Sequence, residues 1–91
     1  MQKNRTTVRI AGRDYTIAGY DSAEYVNRVA AHVDRSMSEL GAATKLPAAQ
    51  LAVLAAVNAT DDMLKSRDEI RRLRQQIEAL QAQLEEAQGH D

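Results

Sequence analysis

The 91-residue chain contains no cysteine, tryptophan or phenylalanine, and three tyrosines are its only aromatic residues. The lack of cysteine excludes disulfides and thiol chemistry and suits a reducing cytosol. Without large aromatic side chains, the apolar fraction of alanine, leucine, valine and isoleucine makes a thin core. Because a domain this small hides only about 60% of the surface of its unfolded chain, we expect a second copy to bury more of it.

Long apolar runs and a strong net charge are missing too. No segment approaches the ~20 apolar residues of a membrane-spanning helix. The basic start MQKNRTT is not followed by the apolar stretch of an export signal. A net charge of −1 gives no general attraction to nucleic acid or membranes. We therefore expect a cytoplasmic protein that has no membrane contact.

Side chains suited to catalysis are sparse. His32 and His90 are the only imidazoles, and neither belongs to a Ser/His/Asp set or a metal-ligand cluster. Asp61 and Asp62 are followed by lysine and arginine, which is typical of a solvated helix face with ion pairs. Gly12 lacks the helix N-terminus that a phosphate-binding loop needs. The sequence predicts no enzyme and no metal or other cofactor.

The N-terminal part predicts a β-hairpin. Apolar residues alternate in Val8–Ile10 and in Tyr15–Ile17, as in half-buried strands, and Gly12 lies in the turn 11–14 between them. We expect residues 1–7 to form a flexible arm. Two strands alone do not make a stable sheet, so other elements must cover them.

A first amphipathic helix follows the hairpin. Asp21 and Glu24 have the spacing of a capping box with Asp21 as the cap, and Gly41 is a natural helix end. Spacings of three and four residues define one apolar stripe. The stripe consists of Val26, Val29, Ala30, Val33, Met37 and Leu40.

A second helix is predicted to begin at Pro47 and to continue to about Gln88. Residues 51–57 are apolar on every side, so we expect this section to be buried on all faces and to form a dimer interface between globular heads. The residues predicted for this interface are Leu51, Leu54, Val57 and Asn58. Asn58 either fixes the register as a buried polar residue or is an ordinary asparagine at the core boundary.

The last third carries a heptad repeat. β-Branched residues at position a with leucine at position d favour a parallel two-stranded coiled coil, in which Glu69 at g and Arg74 at e can pair between chains. Ser66 occupies one d position and weakens the seam. The predicted seam residues are Met63, Ile70, Leu73, Ile77, Leu80 and Leu84.

These elements predict an α+β protein: a small head with a β-hairpin and an amphipathic helix, followed by a long helix that ends in a coiled coil. The predicted divisions are an arm over 1–7, a dimerisation head over 8–62, a coiled-coil rod over 63–88 and a frayed tail over 89–91.

Basic residues cluster on the hairpin and on the rod, but no aromatic residues interleave with them for base stacking. Nucleic-acid binding by a dimer is therefore the less favoured of two alternatives. The other is a coiled-coil adaptor of some cytosolic assembly.

The order of these segments resembles the ZapA family of bacterial cell-division proteins over about residues 8–85. The resemblance rests on the hairpin Ile10–Arg13, on Val33-Asp34 and Met37 in the first helix, and above all on the segment LAVLAAVNATDDML from Leu51 to Leu64, followed by the coiled coil.

The resemblance implies a non-enzymatic protein that binds FtsZ, the tubulin-like GTPase of the division ring, and cross-links or bundles its filaments. It implies dimers through the heads and tetramers through the coiled coil. An arginine after the hairpin glycine is implicated in FtsZ contact, which here is Arg13; Asp14 and Lys45 are added from their expected exposure. Two departures are Ala49, where some relatives carry an acidic residue, and a coiled coil that ends near Gln88.

Overall fold

The computed structural model describes residues 2–89 and confirms the predicted α+β fold. Strand β1 (Asn4–Ile10) pairs with β2 (Arg13–Gly19), and the helices α1 (Ala23–Thr44) and α2 (Ala48–Gln88) follow. The described residues form two compact units that divide between Val57 and Asn58. Of the predicted tail, Gly89 is described, and His90 and Asp91 lie outside the described residues.

Both strands of the hairpin are longer than predicted. Their antiparallel register pairs Asn4 with Gly19 and Ile10 with Arg13, so that two residues form the turn. Ala11 (φ 53°) and Gly12 (φ 80°) both have positive φ, which is the signature of a type I′ turn. The turn therefore consists of residues 11 and 12 rather than 11–14, because Arg13 and Asp14 already pair with residues of β1.

The expectation of a flexible arm over 1–7 is wrong from Asn4 onward. Residues 4–7 belong to β1, where each pairs with a residue of β2. The side chain of Thr6 is buried, and the hydroxyls of Thr7 and Thr16 lie 3.3 Å apart across the strands. Cross-strand pairing of β-branched residues thus continues the sheet past the end of the apolar alternation.

Helix α1 has different ends from those predicted. Ser22 rather than Asp21 is the N-cap: it is extended (ψ 154°), and its Oγ accepts the N–H of Tyr25 at 3.1 Å. At the other end the helix continues past Gly41 to Thr44, and Lys45 closes it with a left-handed conformation (φ 57°). The N–H of Lys45 donates to the carbonyl of Gly41 at 3.3 Å.

Gly41 lies inside α1 rather than at its end, and its lack of a side chain suits a close contact with α2. A Cβ atom at this position would lie 3.3 Å from Cδ1 of Leu51, at the start of α2. The missing side chain therefore lets the end of α1 approach Leu51 closely.

The core of the first unit is thin, as the composition predicts. Val8, Ala30, Met37 and Ala55 are its buried hydrophobic side chains, and within residues 2–89 no side chain is less than 2% exposed. Helix α1 packs against β1, which brings Ala30 and Met37 into the same core as Val8. This core therefore consists of a few nearly buried side chains and contains no large side chain that is completely buried.

Helix α2 begins one residue after Pro47, whose carbonyl accepts the N–H groups of Gln50 and Leu51 at 3.0 Å. The prediction that residues 51–57 are buried on all faces is wrong within one chain. Ala55 is buried and Leu51 and Leu54 are half-buried, but Val53 and Val57 are 62% and 57% exposed. One hairpin and one helix do not provide enough surface to cover every side of this section.

The second unit consists of the part of α2 that follows Val57, and its described side chains are all exposed. Ion pairs with i, i+3 or i, i+4 spacing link Asp61 with Lys65, Asp68 with Arg71, and Glu69 with Arg72. A hydrogen bond to Asp61 raises the pKa of Lys65 above its ordinary value.

Neither helix of the described part, residues 2–89, combines the length and the hydropathy of a transmembrane span.

Candidate functional site

The tip of the hairpin is attached to α1 by a hydrogen bond. Asp34, in the middle of α1, accepts the backbone N–H of Ala11 at an N–O distance of 2.8 Å. This bond uses the outward N–H of the turn and fixes the tip against the helix. The residues that follow the turn are consequently presented from a defined position.

Arg13 and Asp14, two of the predicted partner-binding residues, differ in their surroundings. Asp14 faces Arg9 across the strands, with an ion pair of 3.3 Å. Arg13 is the first residue of β2 and is exposed, and it forms no ion pair within residues 2–89. Of the two, Arg13 is the one that forms no ion pair within residues 2–89, although the exposed Arg9–Asp14 pair is worth little in water.

The inner face of β2 is left partly uncovered. Residues directly opposite one another in an antiparallel pair point to the same face, so Tyr15 and Ile17 lie on the face that carries Val8 and Thr6. Helix α1 packs against β1, and Tyr15 and Ile17 remain 48% and 38% exposed.

An open groove of about 670 Å³ results beside this strand. It lies among the hairpin, α1 and the first turns of α2, and Arg13 is at its border. Its lining includes Ile10, Tyr15, Val33, Met37, Ala49 and Ala52. Sequence reasoning missed this groove. The alternation of Arg13, Tyr15 and Ile17 along β2 indicated one shared face for these residues. That alternation does not indicate whether α1 covers β1 or β2.

Lys45, the third predicted partner-binding residue, does not line the groove. It is exposed between α1 and α2 and has a structural role as the left-handed residue that closes α1. The structure therefore does not bring Lys45 together with Arg13 at one groove.

Metal-binding geometry is also missing from the described part of the chain. Residues 2–89 contain no group of three His, Cys, Asp or Glu side chains placed to hold a metal ion. His32 lies exposed on α1.

A second candidate surface is the heptad stripe of the second unit. All six predicted seam residues are between 43% and 63% exposed, from Met63 at the low end to Leu80 at the high end. A row of large aliphatic side chains on one face of a helix, interrupted here at Ser66, is typical of a coiled-coil seam that lacks its partner helix.

The groove with its unpaired arginine and the exposed heptad stripe are both exposed apolar surfaces, a feature typical of proteins that act by contact with other proteins. The fold and these surfaces are those of a small α+β module without a catalytic or metal cluster among residues 2–89. The profile of the family described as Cell division protein ZapA matches residues 6–90. The chain therefore belongs to the ZapA family of cell-division proteins, as the resemblance implied.

Individual relatives agree with this assignment. The chain is 52% identical over 65 residues to the Cell division protein ZapA of Halalkalibacterium halodurans, covering 70% of this chain and 71% of that protein. It is 45% identical over 64 residues to the Cell division protein ZapA of Geobacillus thermodenitrificans, with 69% and 70% covered. A solved structure, "ZapA mutant dimer from Geobacillus stearothermophilus", superposes with a TM-score of 0.71 at 42% identity, covering 86% of this chain and 92% of that chain.

Proposed function

We propose that this chain is a non-enzymatic division factor that binds FtsZ in the cytoplasm, at the division site, and cross-links or bundles its filaments as a dimer or tetramer. The single observation that carries the proposal is membership of the ZapA family across residues 6–90. The two exposed surfaces of the chain supply the physical means.

The proposed FtsZ contact is the groove beside β2 with Arg13 at its border. Arginine and tyrosine next to apolar side chains are the usual anchors of protein interfaces. Arg13 supplies a charge that no acidic side chain within residues 2–89 neutralises by an ion pair, and Tyr15 supplies exposed aromatic surface. An acidic and partly apolar patch on FtsZ fits this combination. Asp14 and Lys45 play smaller parts in the proposal, since each already serves the fold.

Self-association is proposed through two surfaces. Leu51, Leu54, Val57 and Asn58 are assigned to the head dimer, because the exposed valines of this section gain burial only from another chain. The heptad stripe is assigned to the coiled coil. The name of a solved relative, a ZapA mutant dimer, supports self-association in general.

Bivalency links self-association to bundling. A dimer carries two copies of the groove, so each dimer can hold two filaments, and the second contact benefits from a raised effective concentration. Individually weak contacts are then sufficient for cross-linking and still allow filaments to exchange.

Co-sedimentation with FtsZ polymers tests the proposal. The wild-type chain is expected to pellet with the polymers and Arg13→Ala to pellet several-fold less, because the proposed contact loses its charge. Arg5→Ala is the matched control: it removes the same charge from an exposed position on the same hairpin, away from the turn.

Arg5→Ala is expected to behave like the wild type. If the wild-type chain does not pellet with the polymers, FtsZ binding is wrong. If both arginine variants show the same loss of co-sedimentation with FtsZ polymers, binding depends on net charge, and the assignment to Arg13 is wrong.

A further inference from the structure

The outer edge of β2 has no neighbouring strand within residues 2–89, where the sheet consists of β1 and β2 alone. In a hairpin with a two-residue turn, the residues that flank the turn exchange both ladder hydrogen bonds, and from there hydrogen-bonded and non-hydrogen-bonded pairs alternate. Arg13 and Tyr15 therefore bond to β1. The alternate residues of β2 direct their backbone N–H and C=O groups away from β1, and they are Asp14, Thr16 and Ala18.

These outward backbone groups are free to bind another molecule. Among the hydrogen bonds of residues 2–89, none uses the outward backbone groups of Asp14, Thr16 or Ala18. All of these residues are exposed. An exposed edge with donors and acceptors at every second residue is a template for a further strand.

The open groove beside β2 reaches this edge. Thr16 lines the groove, although its hydroxyl lies on the opposite face of the hairpin, 3.3 Å from that of Thr7. At the other edge of the sheet the outward residues are Arg5, Thr7 and Arg9, and none of them lines the groove. The groove therefore adjoins the edge of β2 and not that of β1, and it gives an added strand space for its side chains.

The groove determines which side chains an added strand needs. The residues of this strand that lie beside Tyr15 and Ile17 point to the same face as these two and enter the groove, and the residues between them point to solvent. Val33 and Met37 line the groove on α1, and the small side chain of Ala52 lines it on α2. Apolar residues at alternate positions of the added strand fit these walls.

Charge decides between a foreign segment and a second copy of β2. Arg13, on the border of the groove, forms no ion pair within residues 2–89 and favours a carboxylate on the added strand. A second copy of β2 brings no carboxylate to this face, since its acidic residue, Asp14, lies on the opposite face and pairs with Arg9. The segment is therefore expected to come from a different protein.

We infer that β2 takes up an extended segment of FtsZ as a third strand of the sheet, through the outward backbone groups of Asp14, Thr16 and Ala18. The segment carries apolar residues at alternate positions, which enter the groove, and an acidic residue that meets Arg13. This inference rests on the proposed FtsZ contact and specifies its mode. Backbone hydrogen bonds supply affinity, and the groove with Arg13 supplies specificity.

Removal of one outward N–H group tests strand addition by co-sedimentation of the full-length chain with FtsZ polymers. Thr16→Pro deletes a donor that the hairpin itself does not use, and proline is tolerated in an edge strand where its nitrogen faces solvent. The variant is expected to pellet several-fold less than the wild-type chain, because the added strand loses a backbone hydrogen bond and meets the proline ring.

Thr7→Pro is the matched control. Thr7 lies directly opposite Thr16, and its N–H points outward at the edge of β1. Both variants lose the same contact between the two hydroxyls, so thermal unfolding is expected to show equal stability, and Thr7→Pro should pellet like the wild type. Equal loss of co-sedimentation in both variants, or no loss in Thr16→Pro, overturns strand addition at β2.

Hydrogen exchange of the wild-type chain tests the same edge without a substitution, and it decides the question if a proline variant does not fold. With FtsZ polymers in excess, the amides of Asp14, Thr16 and Ala18 are expected to exchange several-fold more slowly than in the chain alone. The outward amides of β1 are expected to keep their rates. Unchanged exchange at the edge of β2, or equal protection at both edges, overturns the inference.

The remaining outcomes separate this inference from the proposed function. A wild-type chain that does not pellet with FtsZ polymers overturns both. A chain that pellets and depends on Arg13, but gains no protection at the edge of β2, keeps the FtsZ contact and overturns strand addition. Protection of this edge in the chain alone that grows with its concentration shows a second copy there, and it overturns the inference as well.

Discussion

The carboxylate of Asp34 in α1 and the backbone N–H of Ala11 in the hairpin turn are hydrogen-bonded at 2.8 Å, although 23 residues separate them in the sequence. This bond joins the turn of the hairpin to a helix. Since Arg13 begins β2 immediately after the turn, the bond also fixes the position of the proposed FtsZ contact.

Loss of the Asp34 carboxylate is expected to loosen the tip of the hairpin. Asp34→Ala should reduce the free energy of unfolding by about 1 kcal/mol, the usual net value of a hydrogen bond that water can replace. Urea unfolding measures this change, and amide hydrogen exchange should show faster exchange at Ala11.

Asp34→Asn is the matched control because it keeps an oxygen acceptor at the same place. It should retain most of the stability and the protection of Ala11. Slow exchange at Ala11 in Asp34→Ala would contradict the role given to this bond.

The turn itself carries a conformational cost. Ala11 has φ 53°, in the left-handed region where a Cβ atom is unfavourable by roughly 1–2 kcal/mol. Asparagine tolerates this region and is the preferred first residue of a type I′ turn before glycine.

Ala11→Asn is therefore expected to raise the free energy of unfolding by about 0.5–1 kcal/mol in the same urea titration. Gly12→Ala, with φ 80°, is its counterpart and should destabilise the protein, although a Cβ atom there would meet no neighbour within 4 Å. If Ala11→Asn lowers the free energy of unfolding instead, strain from the left-handed conformation of Ala11 does not dominate the energy of the turn.

The N-cap of α1 can be assigned by mutating two adjacent residues. Ser22→Ala should destabilise the protein by about 1 kcal/mol, since its Oγ accepts the N–H of Tyr25. Asp21→Ala should cost much less, because only the backbone carbonyl of Asp21 takes part in a described bond, with the side chain of Asn4. Thermal unfolding of both variants is the measurement. A larger loss for Asp21→Ala would support the capping box expected from the sequence instead.

A charge in the heptad stripe should separate binding from bundling. Ile77→Asp places a carboxylate at position a and is expected to weaken self-association by more than tenfold, because a buried unpaired charge is costly. Ala79→Asp adds the same charge at the outward position c and should have little effect.

Sedimentation equilibrium measures the association of both variants, and electron microscopy of FtsZ filaments measures bundling. Ile77→Asp is expected to bind filaments but to bundle them less than Ala79→Asp does. Full bundling by a dissociated Ile77→Asp chain would contradict the bivalent mechanism.

Several features could be predicted because they depend on neighbouring residues. The apolar stripe from Val26 to Leu40 predicted α1, and the seven-residue spacing of Ile70, Ile77 and Leu84 predicted the exposed stripe of α2. The alternation around Gly12 predicted the hairpin but not the strands' full length. Residues 4–7 are polar and gave no alternation, so only their pairing with β2 reveals them as strand.

The candidate site was only partly predictable. Gly12-Arg13 marked the exposed end of the hairpin. The groove beside Tyr15 depends on the fact that α1 packs against β1, which leaves the inner face of β2 uncovered. Likewise, the C-terminal end of α1 was misplaced because Gly41 lies inside the helix, where it is close to Leu51, and does not stop it.

The order and type of the elements follow from the sequence alone, since turn chemistry and the periods of two, 3.6 and seven residues are local properties of the chain. The composition also predicted a thin core, but the exposure of Val53 and Val57 could be read only from the folded chain. The hydrogen bond from Ala11 to Asp34, the ion pair of Asp14 with Arg9 and the lack of an ion pair at Arg13 within residues 2–89 are likewise known only from the fold. Those relationships join residues through space, and their energies depend on distances that no local pattern records.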